Sequence, residues 1–250
     1  MCGRFVSTNT PEQIAAFFGA SFEGDSLAPS YNVAPTNDVY AVLADGDGPP
    51  AVRAFHWGLV PVWAKDTKIG SSMINARAET IAEKTTFKGL LRKRRCIIPM
   101  EGFYEWQAAA AGAPLGPKGK PVKQPLFIHR ADGNPLAIAG LWTTWHDKAG
   151  PPEGPWLHSC TIITTAANAT MSPVHDRMPV ILPTSLWSEW LDPADGDLAR
   201  LGTLLVPAAE DVLVMHPVST QVNNVRNKGA ELIVAIDPIS QFPLSQFPLG

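Results

Sequence analysis

The chain has 250 residues, 45% of them hydrophobic, and a formal net charge of −3 at pH 7. That length and composition suffice for the core of one large domain, and we expect a single one. The sequence shows neither a signal-peptide pattern nor an apolar run long enough to cross a membrane, so a cytoplasmic protein without membrane contact is expected. Cys2, Cys96 and Cys160 lack metal-ligand spacing, which argues against a zinc site or a disulfide framework.

The N-terminal stretch Met1-Cys2-Gly3-Arg4 is the first feature of chemical interest. Removal of Met1 would leave a free amine and a free thiol on Cys2. Such a 1,2-aminothiol captures aldehydes, because the amine forms an imine and the thiolate then closes a thiazolidine ring at an effective molarity of about 10⁵ M or more. Position alone favours a cysteine that merely follows the start codon.

Periodicity indicates a strand-rich chain with few helices. A capped helix start is predicted at Thr10, before residues 14–18, and a second at Thr184-Ser185, before residues 186–191. Short β-branched runs bounded by Gly, Pro or Asp predict strands at 39–43, 96–99, 126–128, 136–139, 161–164 and 212–215. Without strict βαβ alternation or a Gly-rich phosphate loop, the pattern favours an α+β class over a dinucleotide-binding or P-loop fold.

Low-complexity segments set the expected domain limits. Residues 108–120 and 149–155 are predicted to be surface insertions. The end of the chain repeats Ser-Gln-Phe-Pro-Leu at 240–244 and 245–249. We therefore expect one catalytic domain over residues 1–239 and a disordered or peripheral tail over 240–250.

The distribution of charge is more informative than its total. Residues 51–100 contain ten of the twenty Lys and Arg residues against three acids, a local net charge of +7. The run from Lys88 to Arg95 also fits a solvated helix face. Spread over fifty residues, the bias favours an electrostatic footprint for phosphates.

Three polar residues occur in apolar surroundings and are candidates for chemistry. They are Asn75, in Ile74-Asn75-Ala76-Arg77; Glu105, between Tyr104 and Trp106; and His175, in Pro173-Val174-His175-Asp176. A carboxylate between two aromatic residues suits general acid and base work. A lone histidine is more often structural, and strand alternation could equally expose Glu105 to solvent.

Further residues indicate binding of a phosphate-bearing ligand. An arginine follows each reactive residue two positions later: Arg4 after Cys2, Arg77 after Asn75 and Arg177 after His175. Convergence of the reactive groups would therefore bring three guanidiniums together. Trp63 lies two residues before Lys65 and fits either a base-stacking residue or a core tryptophan.

Seven motifs occur in an order that resembles the SOS response-associated peptidase (SRAP) family, whose members shield abasic sites by crosslinking to DNA. The resemblance runs from residue 2 to about residue 233, and Ala64 occurs where members often carry a second tryptophan. The motifs are Met1-Cys2-Gly3-Arg4-Phe5, Tyr31-Asn32-Val33-Ala34-Pro35, Trp57-Gly58-Leu59-Val60-Pro61, Ile74-Asn75-Ala76-Arg77-Ala78-Glu79-Thr80, Gly102-Phe103-Tyr104-Glu105-Trp106, His175-Asp176-Arg177-Met178-Pro179, and the stretch from His216 to Asn227.

The resemblance implies a barrel-like, strand-rich domain with flanking helices and a reaction without metal or cofactor. Mature Cys2 would attack C1′ of a ring-opened abasic deoxyribose in single-stranded DNA and close a thiazolidine, with an abasic-site lyase side activity. The implied roles are general acid and base for Glu105, orientation for Asn75, proton transfer for His175, phosphate contacts for Arg4, Arg77 and Arg177, and shaping of the pocket for Asn32, Pro35 and Trp63. We expect a monomer.

Two other functions remain open at this point. A thiol peptidase would use Cys2 as nucleophile, His175 as base and Asn75 as its support, and its minimum activity would be removal of Met1. A module that binds damaged DNA without forming a bond would need none of these reactions. Peptide turnover lost in Cys2→Ala would favour the first, and binding unaffected by Cys2→Ala the second.

Overall fold

A computed structural model describes residues 2–44, 48–109, 112–116, 118–151 and 153–238. Met1, the predicted boundary at residue 239 and the 240–250 tail lie outside them. The strands are β1 Phe5–Ser7, β2 Ser21–Phe22, β3 Ser30–Val33, β4 Asp38–Leu43, β5 Ala51–Trp57, β6 Asn75–Arg77, β7 Arg95–Met100, β8 Gly102–Gln107, β9 Gln124–Arg130, β10 Leu136–Trp145, β11 Leu157–Ala166, β12 Arg177–Pro179 and β13 Leu213–Pro217. The α-helices are α1 Pro11–Phe18, α2 Ala78–Ile81, α3 Thr85–Lys93, α4 Trp187–Leu191 and α5 Leu198–Thr203.

Five strands close into a barrel. Antiparallel pairing connects β5, β4, β7, β10 and β11 in that order, and β11 then pairs in parallel with β5 through Ser159 to His56 and Cys160 to Trp57. Closure removes the free edges that an open sheet of these strands would have. The short strands β6 and β12 extend the pairing along the second half of β11.

A second sheet, in the order β13-β9-β8-β1-β3, packs beside the barrel. Phe5 and Phe103 from this sheet share one apolar cluster with Trp57, Cys96 and Cys160 from the barrel strands. The predicted core positions of Cys96 and Cys160 are thereby confirmed, since both are fully buried. One continuous core therefore joins the two sheets and includes Cys2.

The opposite face of the barrel strands packs against the helices. The predicted start of α1 is confirmed, because Thr10 and Gln13 form a reciprocal capping box. The second predicted cap is wrong: a 3₁₀ turn over Thr184–Leu186 precedes α4, and no side chain caps either segment. In the described residues, no helix is long and apolar enough to cross a membrane.

Lys88, Arg92 and Lys93 are exposed on α3 as a solvated helix face, and Arg95 is the exception in the basic run. Its side chain is only 3% exposed, and its guanidinium donates to the carbonyl oxygens of Leu91, Arg92, Trp190 and Asp192 near the ends of α3 and α4. Carbonyls at helix C-termini lack intrahelical partners and favour cations. Arg95 therefore joins two helices to β7 and does not reach an external phosphate.

Candidate functional site

Cys2 lies just before β1, which is the second strand from one edge of the second sheet. Its side chain is fully buried in the cluster that contains Phe5 and Trp57, whose ring centroids are 5.0 Å apart. Strand β1 pairs with β3 on one side and β8 on the other. These contacts fix the N-terminal backbone within the core, where a flexible terminus would otherwise be expected.

Asn75 and Glu105 come together at Cys2. The Asn75 amide, at the start of β6, donates to the carbonyl oxygen of Cys2 at 3.0 Å. Phe5 pairs with Phe103, so extending the register by two residues places Glu105 across from Gly3. Burial, followed by the negative charge of Glu105, raises the pKa of the Cys2 thiol well above its ordinary value. The Cys2 thiol is therefore protonated at neutral pH in the chain that retains Met1.

The side-chain oxygen of Asn75 is buried and has no hydrogen-bond partner among the described residues. A buried unpaired acceptor costs about 1–3 kcal/mol. An amine or hydroxyl near Cys2 could donate to this oxygen, which suits the predicted orienting role of Asn75.

His175 lies on the turn between β11 and β12. Its Nδ1 is 2.8 Å from a carboxylate oxygen of Asp176 and 3.0 Å from the backbone nitrogen of Arg177. Its neighbour Val174 packs against the cluster that contains Cys2. The proton-transfer role of His175 stays a prediction.

Arg4 and Asn32 form one hydrogen-bonded unit. The guanidinium donates to the side-chain oxygen of Asn32 at 2.8 Å and to the carbonyl of Val222 at 2.9 Å, and it lies 5.7 Å from the ring centre of Trp106. The fully buried Asn32 amide donates to the carbonyls of Val222, Asn224 and Asn227. Asn32 thus positions Arg4 and the 222–227 loop, and a ligand would meet Arg4 first.

Pro35 belongs to a turn that is locked onto the barrel. Thr36 has φ +70°, and among the described non-glycine residues it is the one with a positive φ. The backbone N–H of Thr36 donates to the carbonyl of Trp57 at 2.8 Å, and the N–H of Trp57 donates to the carbonyl of Asn37 at 2.9 Å. A backbone with positive φ costs a β-branched residue such as Thr36 about 1–3 kcal/mol of conformational free energy. Backbone strain of this kind is typical of segments held in place for function.

Arg77 and Arg177 lie on the two short strands beside β11 and differ in how accessible their guanidiniums are. Arg177 holds both carboxylate oxygens of Glu79, at 2.7 and 2.9 Å, and donates to the carbonyl of Thr164 at 2.7 Å. Its guanidinium reaches a phosphate only by releasing Glu79. Arg77 is exposed. Sequence reasoning missed Glu79, although its position two residues after Arg77 in the same motif was a signal.

Trp63 is 57% exposed, and its neighbour Val62 is 59% exposed. The loop that carries them is anchored by the backbones of Gly58 and Gly70, since a Cβ atom on Gly70 would lie 2.7 Å from the carbonyl oxygen of Gly58. Ala64 is buried instead, and its carbonyl accepts from the indole of Trp145 at 2.9 Å. Of the two predictions for Trp63, the core tryptophan is therefore wrong.

The described residues contain no cluster of three His, Cys, Asp or Glu side chains that could hold a metal ion. The site therefore consists of a buried thiol, a buried carboxylate, an amide with an unpaired oxygen and nearby guanidiniums. This set can perform nucleophilic and proton-transfer chemistry on a small electrophile.

The chain belongs to the SOS response associated peptidase (SRAP) family, whose profile matches residues 1–225. Abasic site processing protein YoqW of Bacillus subtilis (strain 168) is 42% identical over 236 residues, which are 93% of this chain and 99% of that protein. Abasic site processing protein YedK of Escherichia coli (strain K12) is 33% identical, again over 93% and 99%. HMCES of Xenopus tropicalis, also named an abasic site processing protein, is 31% identical over 94% of this chain and 78% of its own length.

Solved structures share the fold. A protein of Bacteroides thetaiotaomicron matches with a TM-score of 0.79 and 24% identity, over 94% of this chain and all of that one. A protein of Bordetella bronchiseptica matches with a TM-score of 0.68 and 26% identity, over 87% of this chain and all of that one. The predicted α+β fold, with its barrel and flanking helices, is confirmed.

Proposed function

We propose that this chain processes abasic sites in single-stranded DNA by forming a covalent crosslink through Cys2 after Met1 is removed. The observation that carries the proposal is the grouping at Cys2: the Asn75 amide on its carbonyl, at 3.0 Å, and the buried Glu105 whose charge acts on its thiol. Relatives matched along most of their length are named abasic site processing proteins.

The proposed reaction needs no cofactor. The Cys2 amine adds to C1′ of the ring-opened sugar, water leaves, and an imine forms. The thiol then adds to the imine carbon while its proton passes to the nitrogen, which closes a thiazolidine. Glu105 carries protons to the departing oxygen and from the thiol, Asn75 orients the amine or the sugar oxygen, and His175 transfers a proton at the open sugar.

Removal of Met1 also changes the electrostatics of the thiol. The new α-ammonium group of Cys2 would lie on the same residue as the sulfur and favour the thiolate, opposing the effects of burial and of Glu105. Maturation would therefore supply the nucleophilic amine and activate the thiol together.

The DNA contacts follow from exposure. Arg77 is exposed and Arg4 is partly exposed, so both can meet flanking phosphates, and the exposed Trp63 can stack on an unpaired base for about 1–3 kcal/mol. A single strand is the favoured substrate, because extruding a sugar from a duplex costs a few kcal/mol.

The test is an intact-mass measurement on protein of confirmed N-terminus, mixed with a single-stranded oligonucleotide that carries one abasic site. We expect an adduct with the mass of protein plus DNA minus one water, absent with undamaged DNA and in Cys2→Ala. Cys160→Ala is the matched control, because it removes another buried thiol of the same cluster and should retain the adduct. Wild-type protein without an adduct would refute the proposal.

The lyase side activity has its own test. An imine that does not close to the thiazolidine can lose the 3′ phosphate by β-elimination. Cys2→Ser keeps the amine but lacks the thiol, so strand cleavage is expected to rise. Borohydride should trap the imine on wild-type protein, and failure to trap it would contradict the order of steps.

The thiol peptidase alternative gains no support from Asn75. Its amide binds the carbonyl on the C-terminal side of Cys2, whereas the bond cut in removing Met1 lies on the N-terminal side.

A further inference from the structure

One end of the barrel carries polar side chains that take no part in the site at Cys2. Strands β5 and β11 begin there and β10 ends there, as the parallel β5–β11 and antiparallel β10–β11 registers require. Side chains on a barrel strand alternate between inside and outside. Phe55, Trp142 and Cys160 belong to the apolar cluster inside the barrel. Arg53 lies two residues before Phe55, and His158 lies two residues before Cys160, so both side chains point to the same side of their strands as that cluster.

We call this end the basic mouth and define it by Arg53, Arg94, Trp142 and His158. Aromatic rings form its floor: the Phe55 ring centre is 5.8 Å from that of Trp142 and 5.7 Å from that of His158. The Arg94 guanidinium lies over the Trp142 ring, 4.6 Å from its centre. This stacking holds a cation at the mouth and leaves the N–H groups at its edge able to donate.

The two guanidiniums of the basic mouth differ in their partners. Glu23 binds Arg53, with its carboxylate oxygen 2.7 Å from a guanidinium nitrogen. The Arg94 guanidinium has no hydrogen bond or ion pair within the described residues. Burial, followed by the charges of Arg53 and Arg94, lowers the pKa of His158. The Arg94 guanidinium is therefore available to an anion.

A buried donor at the mouth also lacks a partner. Trp142 is 9% exposed, and its indole N–H is buried without an acceptor among the described residues. An unpaired buried donor costs about 1–3 kcal/mol unless a ligand accepts from it. An anion at the mouth would satisfy this N–H and the charge of Arg94 together.

We propose that the basic mouth binds a tetrahedral oxyanion of the phosphate class, held by Arg94, with the Trp142 indole N–H as a further donor. The anion is either a free oxyanion or a backbone phosphate of DNA. This site is independent of the proposed crosslinking chemistry, because none of its groups belongs to the site at Cys2.

His158 is the reporter for the test. Its pKa is measured by NMR on ¹⁵N-labelled protein with and without inorganic sulfate, at ionic strength matched with chloride, and the signal is assigned with His158→Gln. Sulfate has the geometry of phosphate and keeps its charge across the titration. Bound sulfate is expected to raise the pKa of His158, because its charge offsets the two guanidiniums.

Arg94→Gln is expected to abolish the response to sulfate and to raise the pKa of His158 even without it. Lys93→Gln is the matched control: it removes an exposed charge one residue away and should change neither quantity. No response in wild-type protein to sulfate or to DNA, or an undiminished response in Arg94→Gln, would overturn the site.

A second arm identifies the source of the anion. An undamaged single-stranded oligonucleotide without terminal phosphates replaces sulfate, so crosslinking plays no part in the outcome. A response to the oligonucleotide that Arg94→Gln abolishes supports a DNA phosphate. A response to sulfate alone supports a free oxyanion.

Discussion

At the scale of single residues, burial controls the cysteines. Cys2, Cys96 and Cys160 are all fully buried, and burial raises the pKa of each thiol. Since the thiolate is the reactive form, folded protein that retains Met1 is expected to resist iodoacetamide at pH 8, whereas all three thiols should react in guanidinium. Mass spectrometry counts the modified thiols. Equal rates in folded and unfolded protein would contradict the burial of Cys2.

The Glu79–Arg177 pair gives a prediction on pH. The hydrogen bonds from Arg177 lower the pKa of Glu79, so the pair stabilises the fold above the unfolded-state pKa of about 4.3 and loses its effect as pH falls through the lower folded-state value. Glu79 is half exposed, so Glu79→Gln should lower the free energy of unfolding at pH 7 by only about 0.2–1 kcal/mol.

Urea denaturation at pH 7 and at pH 3 measures that difference. The gap between wild type and Glu79→Gln should be smaller at pH 3. Glu83→Gln, a change at an exposed residue nearby, should show no gap at either pH. A gap that grew on acidification would contradict the assigned cause.

The candidate residues were predictable from the sequence because their motifs are local. Their partners were not, because Arg177 meets a carboxylate 98 residues away and Arg4 meets a carbonyl 218 residues away. Such pairings depend on the fold. The motif that contains Glu79 marks it as a candidate, but no local pattern indicates that it pairs with Arg177 or that the Asn32 amide is buried.

At the scale of elements, two glycines determine how the Trp63 loop is held. Gly70→Ala would place a Cβ atom 2.7 Å from the Gly58 carbonyl oxygen, so one backbone must move. We expect a loss of about 1–3 kcal/mol in the free energy of unfolding and weaker binding of single-stranded DNA. Thermal unfolding and fluorescence anisotropy measure the two effects.

Gly89→Ala is the control for that substitution. Gly89 is exposed in α3, and a Cβ atom there meets nothing within 4 Å. Because alanine favours helix over glycine by about 1 kcal/mol, this variant should be at least as stable as wild type. If both variants behaved alike, the close approach of Gly58 and Gly70 would not be the cause.

Most of the strands predicted from hydrophobic runs consist mainly of buried residues, as in β4, β7 and β10, whereas the predicted β13 is mostly partly exposed. The strands that prediction missed include β1, β6 and β12, with three residues each. Three residues carry too little alternation to be recognised, and these strands exist because β8 and β11 offer them partners. Two of them position Cys2 and Asn75, so the site depends on the least predictable elements.

At the scale of the whole molecule, the shared core predicts cooperative unfolding. Residues of both sheets pack in one cluster, so neither sheet keeps its core without the other. Far-ultraviolet circular dichroism and tryptophan fluorescence should therefore give coincident urea transitions. Two separated transitions would contradict a single domain over residues 1–239.

The parallel pairing of β5 with β11 also determines when the molecule can fold. It joins His56 to Ser159, so the barrel cannot close on a ribosome-bound chain until more than half of the protein has emerged. Strand β1 likewise waits for Phe103 of β8. Until then Cys2 is solvated on the nascent chain and accessible to processing enzymes, and the finished fold buries it afterwards.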